Sequence, residues 1–200
     1  RFSIDRINDS PATFDSEKLE WMNGVYIRNM SEDQLITELL PFMERPEAEG
    51  GLPDSVERPI DRDYFKQVIP LVHERLKLLT EGTDTLDFFF ADNVNPAAED
   101  LPGRKMDAEM TERALVAALE LCKTVTSFEP EDLEAEYRAL AEKIEMKPGQ
   151  LFSPIRVATT GKSFAPPLFD TMAAIGQDRC VERIEKAIGI LRSAAQSSAE

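Results

Sequence analysis

The chain has 200 residues, 42% of them hydrophobic, and a formal net charge of −15 at pH 7. This size and apolar content suit one large domain or two small ones with a substantial core. No apolar run approaches 18 residues, which excludes a membrane-spanning helix, and residues 1–10 lack a signal-peptide pattern. The acidity argues against a general nucleic-acid binder, because phosphate contacts need lysine and arginine.

The charge is unevenly distributed along the chain. Residues 147–192 contain seven basic and four acidic residues, whereas the rest, with 16 basic and 34 acidic residues, sums to −18. This segment is therefore the only clearly basic part of the molecule. The two cysteines, Cys122 and Cys180, have no partner at metal-ligand spacing, which indicates buried thiols in a reducing compartment such as the cytoplasm.

Helical spacing of apolar residues begins near the N-terminus. Asp15 is a suitable N-cap, and Leu19, Met22 and Tyr26 would then lie on one apolar helix face. Residues 31–34 begin with a serine and end with a glutamine, which predicts a capping box at the start of a second helix.

A proline- and glycine-rich stretch at residues 44–62 predicts a long loop. Either Asp61 or Asp63 then starts a third helix, which is expected to run to about Leu79 with a kink at Pro70.

The second half of the chain is predicted to be helical as well. A run of three phenylalanines at residues 88–90 should fill a core, and residues 91–106 read as the linker between two helical subdomains. Asp107 and Pro130 mark the starts of two further helices, and Pro148 is expected to end the second of them. A last helix follows Gly176. The fold class predicted is all-α.

The stretch RVATTGKSFAPPLF, residues 156–169, contains part of a phosphate-binding motif. Residues 161–163 read Gly-Lys-Ser, the end of a phosphate-binding loop. That motif needs a glycine where this chain has Arg156, and Pro166 and Pro167 would interrupt the helix that holds the phosphate. An NTPase is therefore disfavoured, and no carboxylate or histidine cluster predicts a catalytic or metal site.

Three strings instead resemble the C-terminal portion of bacterial-type glutamyl-tRNA synthetases, which are class I aminoacyl-tRNA synthetases. They are SPATFDSEKLEWMNGVYIR at 10–28, RPIDRDYFKQVIPLVHERLKLLTE at 58–81 and PIRVATTGKSFAPPLFDTMAAIGQDRCVERIEKAI at 154–188. The resemblance implies that residues 1–30 are the remnant of a stem-contact fold. It implies two helical anticodon-binding subdomains at residues 31–105 and 106–200.

The resemblance also implies that the loop TTGKSFAPPLF at residues 159–169 holds a tRNA anticodon. Single-stranded RNA is read by stacking and by hydrogen bonds to splayed bases, and a proline-stiffened loop suits that task. The implied anticodon-binding residues are Arg75, Arg156, Thr160, Lys162, Ala165, Pro166 and Leu168. The chain departs from the family at Ala165, where threonine occurs in relatives, and at Pro167, where glycine also occurs.

Arg75 is the residue expected to determine which tRNAs the protein selects. In the family an arginine at this place reads the third anticodon base, whereas a glutamine accompanies enzymes that charge both glutamate- and glutamine-type tRNAs. Arg75 thus favours the glutamate-only class. The alternative is that Arg75 pairs with a carboxylate on the helix surface, such as Glu74 or Glu81.

The predicted function is therefore anticodon recognition for glutamate–tRNA ligation, with tRNA(Glu) as the partner. The protein is expected to be monomeric and cytoplasmic. The ATP-binding HIGH-like and KMSKS-like motifs of the family are not in the 200 residues. ATP, Mg²⁺ and glutamate are then expected to bind only the parent enzyme's catalytic domain. The alternative is an acidic, all-helical protein–protein adaptor.

We expect the purified chain to show no ATP-dependent activation of glutamate, because it has neither motif that binds ATP. ATP–pyrophosphate exchange measured with glutamate checks this. Exchange above the level of a no-enzyme control would contradict the interpretation.

Overall fold

The computed structural model describes residues 15–103 and 105–197, and within these ranges every regular element is helical. The prediction of an all-α fold is confirmed. No helix in this part of the chain is long and apolar enough to cross a membrane. The α-helices are α1 (Ser16–Arg28), α2 (Glu32–Met43), α3 (Arg62–Val72), α4 (Gly82–Phe90), α5 (Ala108–Thr124), α6 (Pro130–Lys143), α7 (Pro148–Thr160), α8 (Leu168–Ile175) and α9 (Gln177–Ser197).

The predicted helix starts are confirmed by their caps. Asp15 and Asp107 accept hydrogen bonds from backbone N–H groups of the first turns of α1 and α5. Ser31 and Gln34 form the reciprocal capping box at α2, and Pro130 occupies the first turn of α6. The side-chain caps of α1, α2 and α5 satisfy N–H groups that have no partner inside the helix, whereas Pro130 has no N–H group to satisfy.

Helix α3 is shorter than predicted. It starts after Asp61, as expected, but ends at Val72 instead of continuing to Leu79. A single 3-10 turn, His73–Arg75, follows. At Leu76, which is buried, the backbone is extended, and the helix therefore stops where the apolar spacing alone would continue it.

Helix α7 is a second difference from the prediction. The sequence analysis expects Pro148 to end a helix and residues 159–169 to form a loop. In the structure α6 ends at Lys143, and Pro148 is the first residue of α7, where its missing N–H group is tolerated. Pro154 also lies inside α7, and the helix carries Arg156 to its last turn.

Helices α2–α4 and α5–α9 pack mainly within their own groups, and α3 with α8 and α4 with α7 make contacts between the groups. One hydrophobic core nevertheless runs through both groups, and it includes Phe88 and Phe89 from the predicted core-filling run. The division into 31–105 and 106–200 stays a prediction, and these two groups share a core instead of being separated by solvent.

A buried arginine of α9 joins the two groups. Arg183 is 1% exposed, and its guanidinium donates to the carbonyl oxygens of Thr159 at 2.6 Å and Phe88 at 2.8 Å, and also to that of Ala91. Burial lowers the pKa of Arg183 to about 10, which still leaves it charged at neutral pH. The end of α4 and the end of α7 thus share one buried cation.

One turn earlier on α9, Arg179 extends this network. It donates to the carbonyl oxygen of Phe89 at 2.8 Å and to the hydroxyl of Tyr64 at 2.9 Å. That hydroxyl lies 3.0 Å from the carbonyl oxygens of both Phe89 and Ala174, and burial raises the pKa of Tyr64. Carbonyl groups at the end of α4 therefore find donors on α9.

The apolar face of α1 is largely exposed. Its apolar residues are at least 39% exposed: Leu19, Met22 and Tyr26. The helix instead buries Ile27, whose carbonyl oxygen accepts a hydrogen bond of 2.8 Å from Nε2 of His73. Apolar spacing identified the residues of one face of α1 but not which part of the protein that face contacts. The proposed remnant at residues 1–30 lies partly outside the described residues, which begin at Asp15.

We predict that Arg183→Met lowers the free energy of unfolding by about 3 kcal/mol or more, because three buried carbonyl groups lose their donor. Urea unfolding followed by circular dichroism measures the loss. Arg192→Met is the matched control, since Arg192 lies on the same helix in an exposed pair with Glu112 that should contribute about 0–1 kcal/mol. Equal losses for the two variants would contradict the assigned role of Arg183.

Candidate nucleic-acid interface

A short loop at residues 161–167 connects α7 to α8 and contains three of the seven predicted site residues, Lys162, Ala165 and Pro166. Gly161 ends α7 with φ +73°, and its N–H donates to the carbonyl oxygen of Val157 at 2.8 Å. This left-handed conformation favours glycine. Gly161 therefore has a role in turning the chain, and the Gly-Lys-Ser sequence does not require a bound phosphate to explain it.

The first half of the loop is attached to α4. The Thr160 hydroxyl donates to the carbonyl oxygen of Arg156 at 2.7 Å and accepts from the N–H of Lys162 at 3.1 Å. The Lys162 ammonium group lies 2.8 Å from Oδ1 of Asp87 and also donates to the carbonyl oxygen of Asp84. Thr160 is 1% exposed, so it shapes the loop from the inside.

The Asp87 carboxylate is suited to hold Lys162. It accepts a further hydrogen bond of 2.7 Å from the N–H of Phe88. Burial raises the pKa of Asp87, although the Lys162 charge and the hydrogen bonds act in the opposite direction. The contact of Lys162 with RNA stays a prediction, and in this structure its charge is compensated by the protein.

Two arginines meet at the second half of the loop. Nη1 of Arg75 lies 3.4 Å from the carbonyl oxygen of Ala165, and Nη1 of Arg156 lies 3.5 Å from the same oxygen. These distances exceed those of good N–H···O hydrogen bonds, and so the guanidinium groups are loosely held. Arg75 is 90 residues from Ala165 along the chain, which means that the fold brings the two helical groups together here.

The charges of this arginine pair are not compensated by carboxylates. Among the residues that the structure describes, neither Arg75 nor Arg156 has a carboxylate oxygen within 4.0 Å. Burial, and secondly the nearby charge of Arg75, lower the pKa of Arg156. Two adjacent cations with one shared carbonyl acceptor form a site that attracts an anion.

Arg75 does not form the alternative ion pair with Glu74 or Glu81 in this structure. Glu81 instead accepts hydrogen bonds from the N–H groups of Lys77 at 3.1 Å and Leu78 at 3.2 Å. Glu74, the other carboxylate considered, lies in the same 3-10 turn as Arg75 without forming an ion pair with it.

The remaining predicted residues differ in exposure. Ala165 is half-buried, whereas the side chains of Pro166 and Leu168 are buried and Leu168 starts α8. Pro166 and Leu168 thus support the loop from below. What the loop offers to a ligand at this point is backbone, in particular the region of the Ala165 carbonyl group.

Sequence analysis missed Phe164, which is 93% exposed at the tip of the loop. The sequence analysis assigns this aromatic residue no role. The available signal was its position in the basic segment, between the Gly-Lys-Ser turn at 161–163 and the two prolines. Exposure of the ring follows from the path of the loop, which the sequence does not specify.

Comparison with known proteins relates this geometry to a family. Residues 34–188 match the family model described as "Anticodon binding domain". Among curated relatives, the glutamate–tRNA ligase of Roseiflexus castenholzii is 45% identical over 194 residues, covering 97% of this chain and 38% of the relative. That of Chloroflexus aurantiacus is 45% identical over 200 residues, covering 98% and 39%. The chain thus spans less than half the length of these relatives.

A solved structure shares the fold. The glutamate tRNA ligase from Elizabethkingia meningosepticum superposes with a TM-score of 0.71 at 23% identity, covering 95% of this chain and 35% of its own. At this identity the likeness supports the helical architecture alone.

We predict that Lys162→Met raises the pKa of Asp87 further, because the buried carboxylate loses the cation that lowers it. A pH titration of the Asp87 side-chain carbon by NMR measures the change. Lys66→Met is the control, since it removes a comparable ion pair with Asp33 and should leave the Asp87 pKa unchanged. An unchanged Asp87 pKa in Lys162→Met would mean that Lys162 is not held by α4 in solution.

Proposed function

The chain belongs to the anticodon binding domain family, and from this premise we propose that it recognises the anticodon of a glutamate-accepting tRNA as part of a glutamate–tRNA ligase. The names of the curated relatives support the choice of amino acid. The observation that carries the proposal is the meeting of Arg75 and Arg156 at the carbonyl oxygen of Ala165.

The arginine pair supplies what an RNA loop requires. A guanidinium group presents a planar array of donors to a base edge or a phosphate, and neither arginine has a carboxylate partner among the described residues. Binding therefore does not have to break an ion pair within the protein. It replaces one long contact to the Ala165 carbonyl with shorter, charge-assisted ones.

The loop supplies shape. Its two ends are attached by Lys162 on one side and by the buried Pro166 on the other. A segment that is already ordered loses little conformational freedom when it binds. We assign Thr160, Pro166 and Leu168 to holding the loop in its binding shape, and Ala165 to contact through its backbone.

The acidic character of the chain supports selective binding. With a net charge of −15, most of the surface repels RNA phosphates, and the uncompensated arginine pair offers a local exception. Docking with the wrong orientation is then penalised by like charges. The family match favours RNA recognition over the acidic protein–protein adaptor considered as the alternative.

The chemistry of ligation is assigned to other parts of such a ligase. The described residues contain no group of histidine, cysteine and carboxylate side chains that could hold a metal ion. We propose that ATP, Mg²⁺ and glutamate bind outside this chain, and that the protein acts in the cytoplasm as a monomer.

The direct test is the binding of an RNA stem–loop with a glutamate anticodon, measured by fluorescence anisotropy against stem–loops with permuted anticodons. Selective binding of the glutamate anticodon supports the proposal. Equal affinity for all loops, or no binding, would overturn it.

We predict that Arg75→Gln weakens discrimination at the third anticodon base by about 1–3 kcal/mol, the scale of a bidentate contact to a base edge. Arg75→Lys separates charge from shape, since it keeps the cation but loses the planar fork. If the fork reads the base, both variants lose discrimination. If Arg75 contacts only phosphate, Arg75→Lys keeps most of the affinity and discrimination is unchanged, which contradicts the prediction.

The control for this series is Arg62→Gln. Arg62 starts α3 in the same helical group and contacts the Thr37 hydroxyl at 3.3 Å, away from the Ala165 carbonyl. Its replacement removes the same charge from the chain, and so any effect of net charge alone appears equally in Arg62→Gln and Arg75→Gln.

A further inference from the structure

Several large apolar side chains are exposed in the described part of the chain, and that of Phe164 is the most exposed of them. It is 93% exposed, compared with 67% for Tyr26 and 64% for Trp21 on α1. A phenylalanine in this position contributes almost nothing to the core, because its apolar surface remains in water. Its presence at the tip of an attached loop therefore has no explanation in folding.

The loop holds Phe164 in a defined place. Two residues before it, Lys162 is bound to Asp87 on α4. Directly after it, the Ala165 carbonyl oxygen lies near Nη1 of Arg75 and of Arg156. Ser163 and Phe164 are exposed, whereas Pro166 is buried, and the ring therefore extends from backbone that is held by Lys162 on one side and by Pro166 on the other.

We infer that the Phe164 ring is a stacking platform for one unpaired base of the RNA loop bound by the arginine pair. The inference rests on the proposed function and adds a contact to it. Binding of single-stranded nucleic acids combines cations that follow the phosphates with aromatic rings on which bases stack. Phe164 directly precedes Ala165, whose carbonyl oxygen lies near both arginines, so that the aromatic ring and the two cations lie at the same loop.

The chemistry assigns Phe164 a role different from that of Arg75. Every base has a π-face, and so stacking contributes affinity with little dependence on base identity. Arg75 can discriminate bases through donors directed at an edge. The ring is uncharged, and its loss should not change the number of counterions released on binding.

The first experiment compares Phe164→Ala, Phe164→Leu and Phe164→Trp in binding to the stem–loop with a glutamate anticodon. We expect Phe164→Ala to weaken binding about 5- to 150-fold, the range reported by alanine substitution at stacking contacts. Phe164→Leu should lose most of that affinity, whereas Phe164→Trp keeps it. The salt dependence of binding should be the same in all three, and thermal unfolding should match that of the unaltered chain.

A second experiment locates the base. Abasic nucleotides are placed one at a time along the RNA loop and combined with Phe164→Ala in double-mutant cycles. Stacking predicts one position at which the abasic RNA and Phe164→Ala each weaken binding but together cost no more than either alone. Additive losses at every position would overturn the inference.

The outcomes separate the two proposals. If the unaltered chain binds the stem–loop selectively but Phe164→Ala or Phe164→Leu binds equally well, the stacking platform is wrong and the proposed function stands. If the unaltered chain does not bind selectively, the proposed function fails and the inference fails with it.

Discussion

The buried guanidinium of Arg183 is the interaction on which the arrangement of the site depends. It donates to the carbonyl oxygen of Thr159 at the end of α7 and to those of Phe88 and Ala91 at the end of α4. A buried cation is costly unless its donors are satisfied, and here backbone carbonyl groups satisfy them. Because α7 carries Arg156 and α4 carries the Asp87 that holds Lys162, Arg183 fixes the helix ends from which the loop begins.

The cations of this region fall into two classes according to what compensates them. Arg183 is surrounded by carbonyl oxygens and Lys162 is paired with a carboxylate, and both stabilise the protein's own structure. Arg75 and Arg156 share one distant carbonyl oxygen, and their mutual repulsion is a cost that an anionic ligand relieves. In a chain of net charge −15, this incomplete compensation distinguishes a binding site from a structural one.

Local signals in the sequence predicted the helix starts but not all helix ends. Asp15, Asp107 and the capping box of α2 act within a few residues, so they could be recognised without the fold. The end of α3 at Val72 is not marked by the apolar spacing, which continues to Leu79. Pro148 was misread because proline is compatible both with the end of one helix and with the first turn of the next.

The features of the site can be separated in the same way, into those that the sequence indicates and those that depend on tertiary contacts. The position of Arg75 was inferred from family resemblance, and no periodicity relates it to Ala165, 90 residues later. The exposure of Phe164 depends on the anchoring of both sides of its loop, by the ion pair of Lys162 with Asp87 and by the burial of Pro166. The sequence shows the residues of the loop but not the partners of its flanks. The aromatic residue that local sequence leaves unexplained thus becomes interpretable only when Lys162 and the buried Pro166 are seen to hold the backbone around it.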